Sequence, residues 1–347
     1  MVVLTPLPLV IAANAAVGRR WAHLAIGILA GVSAGVTFLI GALDLAGAGR
    51  AAGGPSTQSP VPVDVGIMVS AAIAAGLASK PLRERVARFL PIDPDNPVHA
   101  LALVLAVLLF GTQLTSIVFA NLSASSQSAL TLGDLISQEA PFLILAAAGV
   151  GLFMRRNLSQ AAERLGLLAP AWWQVVLAVA SAGAFFAFGL GMDWLSHTWT
   201  PDVARQVDST TSRLFGGLGT PLGIAALALA PGICEEIMFR GALQPRLGLI
   251  ATALLFTCIH TQYGLSLDAL SVFVIALGLG LIRKFTNTTA SAICHITYNL
   301  IVGLAGIGLA GSQLQVGIVI AIELVLLAVS AYAIWSNRRR AVLPANP

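Results

Sequence analysis

The chain has 347 residues, of which 57% are hydrophobic and only 10% charged, with a formal net charge of +4 and a mean hydropathy of +0.88. Soluble domains carry about 25% charged residues, so this sequence cannot cover a water-facing surface, and a soluble globular enzyme is excluded. Disorder is excluded by the apolar content, and a disulfide scaffold by a count of three cysteines. The apolar runs are long and continuous, unlike the short alternating strands of an outer-membrane barrel, and predict an all-α, polytopic transmembrane helix bundle.

In chain order the apolar segments are 22–47, 62–80, 98–120, 137–154, 172–193, 218–243, 246–262, 267–283, 287–310 and 314–336. Most reach the roughly 17–25 residues that a spanning helix needs; 246–262 and 267–283 stand at the short limit. Ten spans with both termini on the cytoplasmic side (N-in/C-in) put sixteen of the nineteen Lys and Arg inside, leaving Arg50, Arg205 and Arg213 outside. That is the asymmetry the positive-inside rule expects. No stripe of basic residues on a soluble domain points to nucleic acid. Residues 1–17 are apolar but interrupted by Pro6 and Pro8 and lack a basic leader; they read as an interfacial segment, not a cleaved signal peptide. The loop 51–61 is rich in Gly, Pro and Ser, and 194–217 reads as a longer outer loop with Trp194 and Trp199 at the membrane interface.

An ionisable residue inside a span is costly and is a functional candidate by default. The densest group lies between 231 and 299. Glu235 and Glu236 are adjacent, so on a helix they point about 100° apart. Glu236 and Arg240 form an i,i+4 pair in the favourable order and are expected to neutralise each other. Glu235 is left to face an interior cavity and serve as a general base. Phe256 with His260, and His295 with Asn299, are further i,i+4 pairs, and side chains from three helices can converge in a bundle core. At about 1.5 Å per residue, Glu235 lies about 13 Å and His295 about 12 Å from the same end of their helices, but His260 lies about 21 Å in. A tilt and two side chains must close that gap.

The ordered set of Glu235-Glu236-x-x-x-Arg240, Phe256-x-x-x-His260 and His295-x-x-x-Asn299, with Arg240-Gly-x-Leu243 following the first, resembles the CAAX protease and bacteriocin-processing (Abi) family of intramembrane endopeptidases. The motifs occupy about a fifth of the chain. The resemblance implies a division into extra N-terminal spans (1–136), a peptidase core (137–336) and a basic cytoplasmic tail (337–347). It implies hydrolysis of a peptide bond within the membrane, Glu235 with His260 activating a water, and His295 with Asn299 stabilising the oxyanion. Glu236, Arg240 and Phe256 would support the site. The family has been described both as metallopeptidases and as metal-independent glutamate peptidases. No His-Glu-x-x-His is present, and the expectation is no cofactor; Glu235, His260 and His295 would be the ligands if zinc were used.

Cys234, Cys258 and Cys294 flank the three motifs and read as small apolar packing residues, with a cavity-facing, oxidation-sensitive thiol as the sharper alternative. Glu323, midway along the tenth segment, has no role legible from sequence. Asp44, Asp64, Glu139 and Asp268 fall near outer span ends and read as interfacial. His23, His99 and His197 lie near span ends and read as bland. The expected partners are a membrane-associated peptide or protein substrate and the lipid bilayer, with no nucleic acid. Seventeen Arg against two Lys, with abundant Ala and Gly, suggest a GC-rich genome and a bacterial plasma membrane. The competing functions are a multi-pass transporter, against which the absence of evident repeats counts, and a non-catalytic membrane scaffold or immunity protein.

Overall fold

A computed structural model describes residues 4–47, 61–119, 128–306, 325 and 328–336. Its elements are helices: α1 (Leu7–Ala16), α2 (Arg20–Leu45), α3 (Val61–Leu77), α4 (Lys80–Val86), α5 (Pro97–Phe119), α6 (Leu132–Val150) and α7 (Leu158–Leu165). There follow α8 (Trp172–Trp199), α9 (Pro201–Phe215), α10 (Pro221–Glu235), a π-helical segment (Glu236–Leu243), α11 (Gln244–Cys258), α12 (Leu267–Phe285) and α13 (Thr288–Gly306). No strand occurs among the described residues. The all-α bundle is thus as composition dictates, since a helix satisfies its backbone polar groups internally where water is absent.

Helices cover nine of the ten expected segments; most of 314–336, including Glu323, lies outside the described residues, as do 51–60 and the basic tail. Among the described residues, five helical stretches are long and apolar enough to cross a membrane, or six if α3 and α4, bent by 95°, form one span. The expected spans 218–243 and 246–262 fall within one helical stretch, Pro221–Cys258, in which two helices meet. It is kinked at Gly248, whose φ of 77° and ψ of 175° are not helical and suit a residue without Cβ.

Local sequence sets the helix ends. Thr131 begins α6: its hydroxyl accepts from the Asp134 N–H at 3.1 Å, and the Asp134 carboxylate accepts from the Thr131 N–H at 3.0 Å. This reciprocal box satisfies two donors that the helix start leaves unpaired. Gly151 ends α6 at φ 82°. A Cβ there would sit 2.8 Å from Asn14 Oδ1, so glycine is required by conformation and by space alike.

Several expectations are refined or corrected. Within 1–17, α1 is a short helix packed against α2, α5 and α6, and the Asn14 amide donates to Ala148 O at 2.8 Å while its Oδ1 accepts from Arg155. The stretch 194–217 is not a loop. Helix α8 runs on through Trp199, and α9 buries Ala204, Val207 and Leu214, an apolar stripe at helical spacing that alternates with charges. Exposed His197 bridges Asp193 and Asp208, tying α9 to α8. Asp64 lies in the first turn of α3, near a span end as expected, but is buried there beside Asp44 of α2. Asp268 does lie at a helix start, accepting from Ser196 at 3.2 Å.

In the second half of the chain α10 packs against α13 and α6, α13 against α8, and α11 against α12 and α5. Gly232 sets the α10–α13 distance: a Cβ there would meet Ile296 Cγ1 at 2.5 Å and the Ile296 backbone N at 3.1 Å. Small residues let helices approach this closely in lipid. Gly232→Val is expected to force the two helices apart, costing about 1–3 kcal/mol, read as a lower melting temperature in detergent, and to depress activity by displacing the neighbouring Glu235.

Candidate intramembrane active site

The motif residues meet where the π-helical segment, α11 and α13 cross. Glu236, Arg240 and His295 are buried. The Arg240 guanidinium pairs with Glu236 Oε1 at 3.0 Å and donates to Ala276 O at 3.3 Å. The same Oε1 accepts from His295 Nδ1 at 3.0 Å, and Oε2 accepts from the Ser291 hydroxyl at 2.5 Å. Glu236 therefore does more than neutralise Arg240: it fixes the His295 ring. Ser291, one turn before His295 on α13, was not singled out by sequence, although the i,i+4 spacing was there to be read.

Phe256 is the hub of the aromatic packing. The Arg240 guanidinium carbon lies 4.2 Å from its ring centre, a cation–π arrangement. The His260 ring lies 4.8 Å away, that of Phe239 5.4 Å and that of His295 5.9 Å. His260 lies just past the helix end, yet its ring still packs on Phe256 as the i,i+4 spacing expects. Helix α11 ends at Cys258, and His260 opens a 3₁₀ turn at Thr261–Tyr263. From this position it lines the same cavity as residues of the other two motifs. Its Nδ1 lies 2.8 Å from Phe256 O. A carbonyl only accepts, so Nδ1 carries the hydrogen and Nε2 of the neutral ring keeps its lone pair.

Glu235, His260, His295 and Asn299 all line one cavity of about 1580 Å³. Glu235 Oε2 has no hydrogen-bond partner among the described residues, so one oxygen of this buried carboxylate is left for a ligand. Asn299 donates to Leu227 O at 3.2 Å with one of its two amide hydrogens. Tyr263 stacks beside His260 at 6.2 Å and lines the cavity as well. The cavity wall opposite α13 comes from the N-terminal half, through Leu105 and Leu109 of α5 and Val10 of α1. Glu139, expected at an interface, is instead buried in the cavity wall. His99 also lines the cavity and accepts from the Asp93 N–H at 3.0 Å. None of the three cysteines is among the lining residues, and Cys258 and Cys294 are buried while Cys234 is half-buried, against the idea of a cavity-facing thiol.

One rim of the cavity is basic, with Arg155, Arg156, Arg164 and Arg246. Burial and the nearby Arg246, Arg156 and Arg283 pull Arg164 down to about 10. Glu235, His260 and His295 do not bring three donor atoms within 4.8 Å of one another. Among the described residues the one set bringing three donor atoms within 4.8 Å of one another is the exposed Asp193, His197 and Asp208.

No solved structure matches the chain. The Bacillus subtilis protein YpbD, described as uncharacterized, is 28% identical over 149 residues, covering 42% of this chain and 74% of that one. Residues 217–301, which hold every one of the motif residues, match the family described as type II CAAX prenyl endopeptidase Rce1-like, within the CAAX protease group that the motifs resemble.

Proposed function

We propose that the protein is an intramembrane endopeptidase that hydrolyses a peptide bond of a membrane-associated peptide or protein near the cytoplasmic face, without a metal. The observation carrying this reading is the convergence of Glu235, His260, His295 and Asn299 on one cavity, with Glu236 bound to Arg240, Ser291 and His295 behind them.

In this mechanism a water sits between the free oxygen of Glu235 and Nε2 of His260. Glu235 takes its proton as the oxygen attacks the scissile carbonyl carbon. The carbonyl oxygen becomes an oxyanion and accepts hydrogen bonds from Asn299 Nδ2 and His295 Nε2. Because His295 Nδ1 already donates to Glu236, its Nε2 carries a hydrogen only in the imidazolium form. Glu236 supplies the counter-charge for that cation as well as for Arg240. Removal of Glu236 would thus cost the oxyanion its charged donor.

The test is cleavage of a library of membrane-derived peptides by the detergent-purified protein, with and without a chelator, beside Glu235→Ala. Cleavage that survives the chelator and disappears in the variant is expected. Loss with chelator would make the enzyme a metallopeptidase. No cleavage by the native protein across a broad library would overturn the reading and favour transport or a scaffold role.

A further inference from the structure

The mechanism above assigns no donor for the proton that the departing amine needs, and one carboxyl of the cavity has no task. Glu139 lies on α6, which packs against α10 and the π-helical segment. It is 8% exposed, lines the same cavity as Glu235, and its Oε2 has no hydrogen-bond partner among the described residues. The Glu139 and Glu235 carboxyls lie close enough to act on each other electrostatically. The ion pair of the site is complete without Glu139: Arg240 pairs with Glu236, whose Oε1 also accepts from His295 Nδ1. No ion pair reaches Glu139 among the described residues. Two neighbouring buried carboxyls resist ionising together, so one tends to keep its proton, and environments that separate two such groups mark an acid and a base.

We propose that Glu139 is the general acid of the reaction, donating a proton to the leaving amine from across the cavity, as a partner to Glu235. This rests on the peptidase reading. Water adds to the carbonyl carbon and gives one proton to Glu235. The tetrahedral intermediate then collapses, the C–N bond breaks, and the nitrogen takes the proton of Glu139. The acid and amine products leave with Glu235 protonated and Glu139 ionised. Transfer of that proton from Glu235 to Glu139 restores the starting state, and the net change is one water added across one amide.

The test varies the leaving group. A peptide cleaved by the native protein is compared with a nitrophenyl ester of its acyl portion, whose leaving group departs without a proton. Glu139→Gln, close to isosteric, is expected to slow amide cleavage about 10²–10³-fold while leaving ester hydrolysis within about threefold. Glu235→Gln is expected to lose both. Equal losses on the two substrates would make Glu139 a packing residue and overturn the proposal, as would an unchanged amide rate. Ester hydrolysis by Glu139→Gln reports at the same time that the variant is folded. In Glu139→Ala, added acetic acid is expected to restore part of the amide rate and to leave the ester rate unmoved. Full amide cleavage by Glu235→Gln would overturn the peptidase reading and this inference with it. Loss in Glu235→Gln alone would overturn only the role of Glu139.

Discussion

Glu235→Gln is expected to lower peptide cleavage by about 10²–10⁴-fold, the contribution of a positioned general base, with no loss of thermal stability. Glu235 is buried at the junction of α10 and the π-helical segment, and one of its oxygens has no partner. A glutamine keeps the shape and fills the same space, so packing against α13 is preserved. What it removes is basicity, and a water held by His260 alone keeps its proton. Removing a buried carboxylate that makes no ion pair among the described residues relieves an electrostatic cost, so the variant should melt at or above the native temperature. Peptide cleavage and thermal unfolding in the same detergent preparation check both halves. Parallel loss of rate and stability would count against the assignment of Glu235 as base.

Arg240→Met is expected to have the opposite profile, with stability lost first. The guanidinium is 1% exposed, pairs with a Glu236 that is fully buried, donates to Ala276 O and covers the Phe256 ring. Removing one partner of such a pair leaves a bare charge in a low-dielectric interior, which costs about 3–5 kcal/mol. The double substitution Glu236→Gln with Arg240→Met should recover a large part of that loss, because no uncompensated charge remains. It should not recover activity, since His295 would have lost the carboxylate that orients it. A double-mutant cycle of melting temperatures, with cleavage measured on each variant, separates the structural contribution of the pair from its role behind His295.

The sequence shows the fold class and the three motifs because both rest on local properties. Apolar run length decides the helices, and a charge within an apolar run stands out by its cost. The Glu236–Arg240 pair follows from helical spacing, and the π-helical winding between them leaves the two side chains in contact. What sequence hides depends on where a helix stops. His260 reads as helical because residues 246–262 are continuously apolar, yet α11 ends two residues earlier and the ring lines the cavity from just past the helix end. Glu139 reads as interfacial because the apolar run begins at 137. The capping box at Thr131 starts α6 five residues before that run, which places Glu139 about two turns inside the helix and against the cavity. The Thr131–Asp134 spacing was the available signal. The polar helix α9 is likewise too charged to register in a search for apolar spans, although its stripe at 204, 207 and 214 is legible.

The wall that α1 and α5 contribute to the cavity lies wholly outside the matched stretch 217–301. Glu235, His260, His295 and Asn299 and this wall therefore lie in different halves of the chain. Such a division lets selectivity drift without touching turnover: substitutions at Leu105 or Leu109 reshape the slot, while the carboxylates and imidazoles opposite stay in register. A peptidase core fused to different N-terminal helices would, on the same principle, acquire a new diet while keeping its chemistry.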